Sequence, residues 1–242
     1  MKQILRNNII YIGLCLVFLI ALGIALLVCP KGELHLWMNA CHSPFLDAFF
    51  KYFTAIGEWV PYVIVVALLF YSYGWSAFLL TNIAIGGLIG QGLKYAFDTD
   101  RPLTWFANNM PDVQLQLVDG VHMSKFYSFP SGHTFTFFAL FFTLSLILTD
   151  YLAGASAKNN SSNWKNDKIL SVTAQIIFFL FALTGAYSRI YLSQHFAEDI
   201  WGGALFGIAF SLLLCAFLPR FSGKKWFKMH FFEKKSQKNL VD

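Results

Sequence analysis

Apolar residues occur in six long runs along the chain, separated by short polar or aromatic segments. A run of about 20 apolar residues can cross the hydrocarbon core of a bilayer as a helix, and a helix satisfies its own backbone hydrogen bonds there. The pattern therefore predicts an all-α, polytopic membrane protein with six transmembrane helices. The predicted helices cover roughly residues 9–29, 59–73, 75–97, 132–150, 169–187 and 197–218.

The segments between these runs differ in character. Residues 30–58 are rich in aromatic and apolar side chains, which predicts interfacial helices between the first and second transmembrane helices. Residues 98–129 are polar and predict a loop, and residues 151–168, rich in Asn, Ser and Lys, predict a polar linker. Because no internal repeat is found, we expect a single integral-membrane domain over residues 1–242, ending in a basic tail at 219–242.

Composition excludes the soluble and disordered classes of protein. Of the 242 residues, 57% are hydrophobic and only 13% are charged, which is too apolar for a soluble domain and for a disordered chain. The formal net charge is +5, but seven of the 18 Lys and Arg residues follow Leu218. This tail indicates a topology signal and no nucleic-acid partner. The four Cys residues form neither a disulfide nor a zinc pattern.

The distribution of Lys and Arg predicts the orientation in the membrane. With six spans both termini lie on one side, and twelve of the 18 cationic residues fall on that side. By the positive-inside rule the termini are cytoplasmic, and the loops after the first, third and fifth helices lie outside. The first apolar run lacks a convincing cleavage site, so we interpret it as a retained helix and not as a signal peptide.

Ionisable and small polar residues gather near the outer ends of the predicted helices. Charged groups at membrane helices are costly, which makes them candidates for function. The predicted topology brings these candidates to one membrane surface, although they are far apart in sequence. They are Lys94, Arg101, Ser131, Gly132, His133, Ser188, Arg189, His195 and Asp199.

Part of this set suits the binding of a phosphate group. Lys94, Arg101 and Arg189 supply positive charge for the phosphoryl oxygens. Residues 130–133, Pro-Ser-Gly-His, begin a predicted helix whose free N–H groups form an anion site. On residue type alone the three cations are also typical of side chains that extend to the membrane interface.

The remaining residues suit nucleophilic attack on phosphorus. His195 and Asp199 are four residues apart, so on a helix the carboxylate can hold one ring nitrogen and leave the other free to attack. His133 is then available as the general acid for the leaving oxygen. Metal binding by His195 and Asp199 is the alternative, but the further His or Cys ligands of a closed site are missing.

Three motifs carry these residues: Lys94-x6-Arg101-Pro102, Pro130-Ser131-Gly132-His133 and Ser188-Arg189-x5-His195-x3-Asp199. Together they resemble the three-part signature of the type-2 phosphatidic acid phosphatase superfamily. The motifs span residues 94–199, and the six-helix pattern is similar to the integral-membrane lipid phosphatase branch of that family over nearly the whole chain.

The resemblance implies a metal-independent phosphohydrolase that forms a phosphohistidine intermediate and uses no cofactor. It implies that His195 is the nucleophile, that Asp199 orients it, and that His133 is the acid and later the base for water. The residues implied to bind the phosphate are Lys94, Arg101, Ser131, Gly132, Ser188 and Arg189.

The implied substrate is a lipid phosphate monoester or diphosphate, such as undecaprenyl diphosphate, phosphatidylglycerol phosphate, phosphatidate or a lipid A phosphate. Membrane lipids are the other expected partners, and no obligate protein partner is inferred. The compact chain favours a bacterial inner (cytoplasmic) membrane, with the active site at the periplasmic face. Two alternatives stay open: a lipid-to-lipid phosphotransferase and a non-enzymatic anion or lipid transporter. The set of His133, His195 and Asp199 argues against the transporter.

Other polar residues are expected to have ordinary structural roles. We expect His35, His42 and His122 to lie in the interface or in loops. The acidic residues of the loop after the third helix are expected to be solvated and to form local ion pairs with Lys94 and Arg101. These acidic residues are Asp98, Asp100, Asp112 and Asp119.

Overall fold

The computed structural model describes residues 2–158 and 164–232. Within these residues the regular elements are all helical, as the apolar pattern predicts. A short 3-10 turn, Thr54–Gly57, lies between the fourth and fifth α-helices. The α-helices are α1 (Lys2–Asn7), α2 (Ile9–Val28), α3 (Lys31–Met38), α4 (Pro44–Phe53), α5 (Val60–Leu68), α6 (Tyr73–Phe97), α7 (Pro102–Asn109), α8 (Gly132–Lys158), α9 (Trp164–Tyr191), α10 (Ala197–Phe217), α11 (Pro219–Ser222) and α12 (Lys225–Lys228).

Five helical segments in the described part of the chain are long and apolar enough to cross a membrane. A sixth crossing is reached if Pro44–Gly57 and Val60–Leu68, which meet at an angle of 44°, form one bent span. The expected number of spans is therefore obtained only with this bent pair. The five segments are Ile9–Val28, Tyr73–Asn109, Gly132–Ala155, Lys165–Tyr191 and Ala197–Phe217.

The second predicted helix has a different form from the one expected over residues 59–73. Helix α5 has only nine residues, which measure about 14 Å, roughly half the thickness of the hydrocarbon core. Pro61 lies at the start of α5, where its ring suits a helix start but not a helix continuing from α4. The crossing therefore needs the 3-10 turn and α4 in addition to α5.

Helix α8 lies at the centre of the bundle. It packs against α9, α10 and α6, while α2 packs against α9 and α10. Phe137, Phe138 and Phe142 of α8 are fully buried between these neighbours. Because lipid provides no hydrophobic driving force for helix association, close packing of this kind decides which helices become neighbours.

Two glycines of α10 allow its backbone to touch the backbone of α8. A Cβ atom on Gly203 would lie 2.5 Å from the carbonyl oxygen of Ser131, and one on Gly207 would lie 2.8 Å from that of Phe135. Small residues permit such approaches between membrane helices. The contact joins the start of α8 to the second and third turns of α10.

Two segments expected to lack regular structure are partly helical. Residues 98–129 contain α7, which begins with Pro102 directly after Arg101 and buries Phe106. The predicted linker 151–168 is also wrong in extent, because α8 continues to Lys158 and α9 starts at Trp164. In both places helix-compatible apolar residues are interspersed among the polar ones, and burial of part of their surface stabilises the helix.

The remaining expectations concern the connecting segments and the termini. Helices α3 and α4 form in the segment 30–58, where interfacial helices are expected. The basic tail 219–242 is described as far as residue 232, and this part contains α11 and α12. The rest of the tail lies outside the described residues.

Candidate active site

A cavity of about 780 Å³ collects most of the candidate residues. Its walls come from the ends of α6, α8 and α9, from the loop before α10 and from the 3-10 turn between α4 and α5. The predicted convergence of distant motifs is therefore present in the structure. Seven of the nine candidates line the cavity: Lys94, Arg101, Ser131, Gly132, His133, Arg189 and His195.

The two candidates outside the cavity wall differ in position. Asp199 is fully buried directly behind His195. Ser188 is also buried, but its hydroxyl donates to the carbonyl oxygen of Gly185 at 2.6 Å. The structure thus turns the Ser188 hydroxyl back onto its own helix, and its part in phosphate binding stays a prediction.

His195 and Asp199 form the pair that the spacing predicts. Nδ1 of His195 lies 3.3 Å from Oδ2 of Asp199, and the same oxygen accepts from the backbone N–H of Phe196 at 2.8 Å. The Ser128 hydroxyl also donates to this oxygen, at 2.5 Å. With Nδ1 held as the N–H donor, Nε2 carries the lone pair.

The surroundings of His195 keep its imidazole neutral. Burial lowers the pKa of His195 well below its ordinary value, and the nearby cations Arg101, Arg189 and Lys94 lower that pKa further. A neutral ring is the nucleophilic form, because protonation would occupy the lone pair of Nε2. The same cations that suit phosphate binding therefore also favour the reactive state of the histidine.

The loop that carries His195 is anchored to the end of α9. The backbone N–H groups of Gln194 and His195 donate to the carbonyl oxygen of Arg189 at 2.9 and 3.2 Å. Ser193 adopts a left-handed conformation with φ of 50°, which turns the chain sharply after α9. His195 and Arg189 are therefore joined through one short backbone connection.

His35 packs against the loop that carries His195. It is buried, whereas the sequence predicts a residue in the membrane interface or in a loop. It is 1% exposed, its Nε2 lies 3.3 Å from the Ser193 hydroxyl, and its ring packs against Phe196 and Phe106. Burial lowers the pKa of His35 to about 4, so it is neutral at physiological pH. No sequence spacing indicates this role, because α3 precedes the loop by more than one hundred residues.

Arg189 is a buried cation in the cavity wall. It is only 6% exposed, and its Nη1 donates to the Thr54 hydroxyl at 2.6 Å. Its Nε is buried and has no hydrogen-bond partner among the described residues. An unpaired guanidinium N–H is costly without an anionic partner, so this arrangement favours an anion in the cavity.

Arg101 is held at the cavity by main-chain and side-chain oxygens. Its Nε donates to the carbonyl oxygen of Phe126 at 3.0 Å, and its Nη1 donates to Oε1 of Gln194 at 3.2 Å. The prediction of local ion pairs with the acidic residues of the loop is wrong, because no described acidic side chain lies within ion-pair distance of Arg101 or Lys94. The positive charges of Arg101 and Lys94 are therefore not paired with a described acidic side chain and can interact with a bound anion.

The start of α8 has the geometry that an anion site requires. The Ser131 hydroxyl accepts from the backbone N–H of Thr134 at 3.3 Å, which caps the first turn. A Cβ on Gly132 would meet no atom within 4 Å, so the space beside this residue is open. Backbone N–H groups at a helix start, next to open space, suit a phosphate oxygen.

His133 has a partner that the sequence motifs do not indicate. Its Nε2 lies 2.9 Å from Oε1 of Glu58, which follows the 3-10 turn. Gly57 lies against the same ring, and a Cβ there would be 3.3 Å from Cδ2 of His133. Glu58 and Thr54 were missed because they lie in a segment interpreted only as interfacial.

The described residues contain no group of three or more His, Cys, Asp or Glu side chains that could hold a metal ion. The charged side chains that line the cavity include the cations Lys94, Arg101 and Arg189. These cations and the start of α8 suit an anion, and the ring of His195 suits attack on it.

The comparison with known proteins agrees with this chemistry. A family model described as the PAP2 superfamily matches residues 75–222, which include all nine candidates. The chain is 26% identical to a lipid A 4'-phosphatase of Bacteroides thetaiotaomicron over 181 residues, 72% of this chain and 71% of that protein. It is 30% identical to phosphatidylglycerophosphatase B of Bacillus subtilis over 161 residues, 60% of this chain and 70% of that protein.

Two solved structures share the fold. The crystal structure of LpxE from Aquifex aeolicus matches with a TM-score of 0.57 and 24% identity, covering 76% of this chain and 93% of that one. A transmembrane PAP2-type phosphatidylglycerolphosphate phosphatase from Bacillus subtilis matches with a TM-score of 0.57 and 21% identity, covering 89% of this chain and 98% of that one. At these identities the likeness concerns the helical architecture.

Proposed function

The chain is a member of the PAP2 superfamily and a membrane phosphatase of lipid phosphates, and we propose that it transfers the phosphoryl group to His195 without a metal ion. The observation that carries this proposal is the His195–Asp199 contact, at 3.3 Å, beside a cavity lined by Lys94, Arg101 and Arg189. These cations supply the charge that a phosphoryl group in transfer requires.

The first step forms a covalent intermediate. Nε2 of His195 attacks phosphorus with its lone pair, and the bond between phosphorus and the lipid oxygen breaks. The leaving oxygen takes a proton from His133 and departs as an alcohol. Asp199 accepts the Nδ1 hydrogen bond and compensates the positive charge that develops on the ring.

The second step releases phosphate and restores the enzyme. Water attacks phosphorus of the phosphohistidine while the now neutral His133 takes a proton from it. The nitrogen–phosphorus bond breaks, its electron pair returns to Nε2 of His195, and inorganic phosphate leaves. The two histidines thereby regain their starting protonation states.

The substrate class is a phosphate carried by a membrane lipid. The two curated relatives are named for lipid A and for phosphatidylglycerophosphate, and both names support such a substrate here. Phosphatidate is also a lipid phosphate monoester, whereas undecaprenyl diphosphate would transfer its terminal phosphoryl group and release a lipid monophosphate. A cavity at one end of the helices suits these lipids, because the hydrocarbon chains can stay in the bilayer while the phosphate meets the cations.

We place the active site at the outer face of a bacterial inner membrane, with both termini in the cytoplasm. Support comes from the distribution of the cationic residues, twelve of 18 of which lie on the side of the termini in the six-span topology. The bent pair of α4 and α5 must then act as the second crossing.

The test is phosphate release from a panel of lipid phosphates by the detergent-solubilised protein, with and without a chelator. We expect release that survives chelation and is blocked by vanadate, which mimics the five-coordinate phosphoryl centre. His195→Ala should abolish release, whereas the matched histidine variant His230→Ala, outside the cavity, should retain it. No release from any lipid by the wild type, or loss on chelation restored by a divalent ion, would contradict the proposal.

A further inference from the structure

Glu58 is the only acidic residue among the described residues that line the cavity. Its Oε1 lies 2.9 Å from Nε2 of His133, and its side chain is 58% exposed, so it faces the open part of the cavity. The other residues of the lining with charged side chains are the cations Lys51, Lys94, Arg101 and Arg189.

The position of Glu58 is set by contacts on the turn that precedes it. Thr54, at the start of this turn, accepts a hydrogen bond from Arg189 at 2.6 Å. Gly57, at its end, lies so close to α8 that a Cβ would be 2.7 Å from the ring of Phe137. Because the turn is held against both α8 and α9, Glu58 is a fixed part of the cavity wall.

The contact with His133 places Glu58 on the leaving-group side of the phosphoryl group. In the proposed function, on which this inference rests, His195 attacks phosphorus and the leaving oxygen departs in line on the opposite side. His133 protonates that oxygen, so its neighbour Glu58 lies beside the leaving group. The cations Lys94, Arg101 and Arg189 surround the phosphoryl group that is transferred.

We propose that Glu58 makes the enzyme selective for lipid phosphate monoesters over lipid diphosphates. A monoester releases an uncharged alcohol, whose proton comes from His133 and whose neighbouring hydroxyls can donate to a carboxylate. A diphosphate breaks its bridging oxygen–phosphorus bond and releases a lipid monophosphate. That leaving group brings negative charge next to Glu58, and the repulsion disfavours its departure.

Lys51 is the cation of the lining that lies nearest to Glu58 in the sequence. Its ammonium donates to the carbonyl oxygen of Asp119 at 2.6 Å, and a Cβ on Gly120 would lie 2.6 Å from the same nitrogen. Lys51 is therefore directed to the loop around residue 120 and not to the Glu58–His133 pair. Lys51 therefore does not neutralise the carboxylate beside the leaving group.

The experiment uses two lipids that share the same acyl chains and differ only in the leaving group: dioleoyl phosphatidate and dioleoylglycerol diphosphate. Both are assayed in mixed micelles with the wild type, with Glu58→Gln and with the control Glu33→Gln, which removes an exposed carboxylate of α3 outside the cavity. The quantity compared is the ratio of kcat/KM for the monoester to kcat/KM for the diphosphate. Thermal unfolding of each variant checks the fold.

We expect the wild type to prefer the monoester and Glu58→Gln to lower the ratio by about tenfold, the size of a screened interaction between like charges at a partly exposed site. Glu33→Gln should leave the ratio unchanged. A wild type that prefers the diphosphate, or a Glu58→Gln enzyme that loses activity equally on both lipids, would overturn the selectivity and leave Glu58 only to hold His133. Release from neither lipid by the wild type would overturn the proposed function itself, and this inference with it.

Discussion

The backbone N–H of Ser131 donates to the carbonyl oxygen of Asp199 at 3.0 Å. This bond joins the residue that caps α8 to the first turn of α10. The start of α8, which we propose binds phosphate, and the residue whose carboxylate holds His195 are thus connected by one hydrogen bond, although they belong to different motifs. The spacing between the two halves of the site depends on how closely α8 and α10 pack.

Gly203→Ala should disturb this packing. The new Cβ would lie 2.5 Å from the Ser131 carbonyl oxygen, so the backbones must separate, and we expect a loss of at least about tenfold in kcat/KM because misplaced catalytic groups lose their alignment. The control is Gly13→Ala in α2, whose Cβ would meet no atom within 4 Å. That variant should keep full activity and gain about 0.5–1 kcal/mol of stability from helix propensity. Kinetics and thermal unfolding in detergent check both outcomes, and wild-type kinetics for Gly203→Ala would contradict the coupling.

Asp199→Asn should retain the shape of the site and lose the charge that orients and compensates His195. We expect a fall in kcat of roughly three to four powers of ten, by analogy with other carboxylate–histidine pairs. Ser128→Ala removes one hydrogen bond to a carboxylate oxygen of Asp199 and should lower kcat by only about tenfold. Steady-state kinetics on one lipid phosphate compare the variants, and near-normal turnover by Asp199→Asn would exclude its orienting role.

Arg101→Gln should change the pH dependence as well as the rate. Burial and the surrounding cations lower the pKa of His195, and Arg101 is the first of these cations. Removing its charge raises the pKa of His195, so His195 becomes protonated at a higher pH than in the wild type. The acid limb of the kcat/KM profile should therefore move to higher pH. The control Lys125→Gln removes an exposed cation on the same loop and should leave the limb in place. An acid limb that stays fixed or moves downward in Arg101→Gln would argue against this electrostatic link.

The two histidines should respond differently to the leaving group. His133→Gln is expected to cause a large loss of turnover on a lipid phosphate, because the leaving alkoxide needs a proton. The loss should be smaller on an aryl phosphate, because the phenolate can leave unprotonated. His195→Ala should be inactive on both, because neither substrate can form the covalent intermediate without the attacking nitrogen. Both variants are measured on both substrates. Recovery on the aryl phosphate at position 195 instead of 133 would exchange the two roles.

Single-cysteine labelling tests the orientation. In a background without the exposed residues Cys29 and Cys41, we expect Lys125→Cys to react with an impermeant reagent from outside and Lys165→Cys only after the membrane is permeabilised. This follows from the distribution of positive charge. If both cysteines react from the same side, α8 does not cross the membrane as a span.

Much of the architecture follows from local sequence properties. A membrane helix is specified by the length of its apolar run, so the runs that become α2, α6, α8, α9 and α10 can be located without knowledge of their neighbours. The second crossing was harder to predict because α5 has only nine residues and reaches the length of a span only together with α4 and the turn between them. Whether such pieces act as one span depends on what they pack against.

The arrangement of candidate residues that are close together in the sequence could be predicted from helix geometry. His195 and Asp199 are four residues apart, and a helix start brings them together whatever surrounds it. The motif at residues 130–133 likewise begins α8 through local capping. Seven candidates face one cavity because the topology brings the ends of these helices to the same level.

Contacts between side chains on different helices depend on how the helices pack. The contacts of Glu58 with His133 and of Thr54 with Arg189 join a turn to helices that are far away in sequence, and Ser188 turned away from the cavity although its neighbour Arg189 faces it. Lateral helix packing in a bilayer depends on steric fit and interhelical hydrogen bonds, such as those allowed by Gly203. The order of residues along a single chain specifies the length and depth of each helix, but this fit emerges only when the helices are assembled.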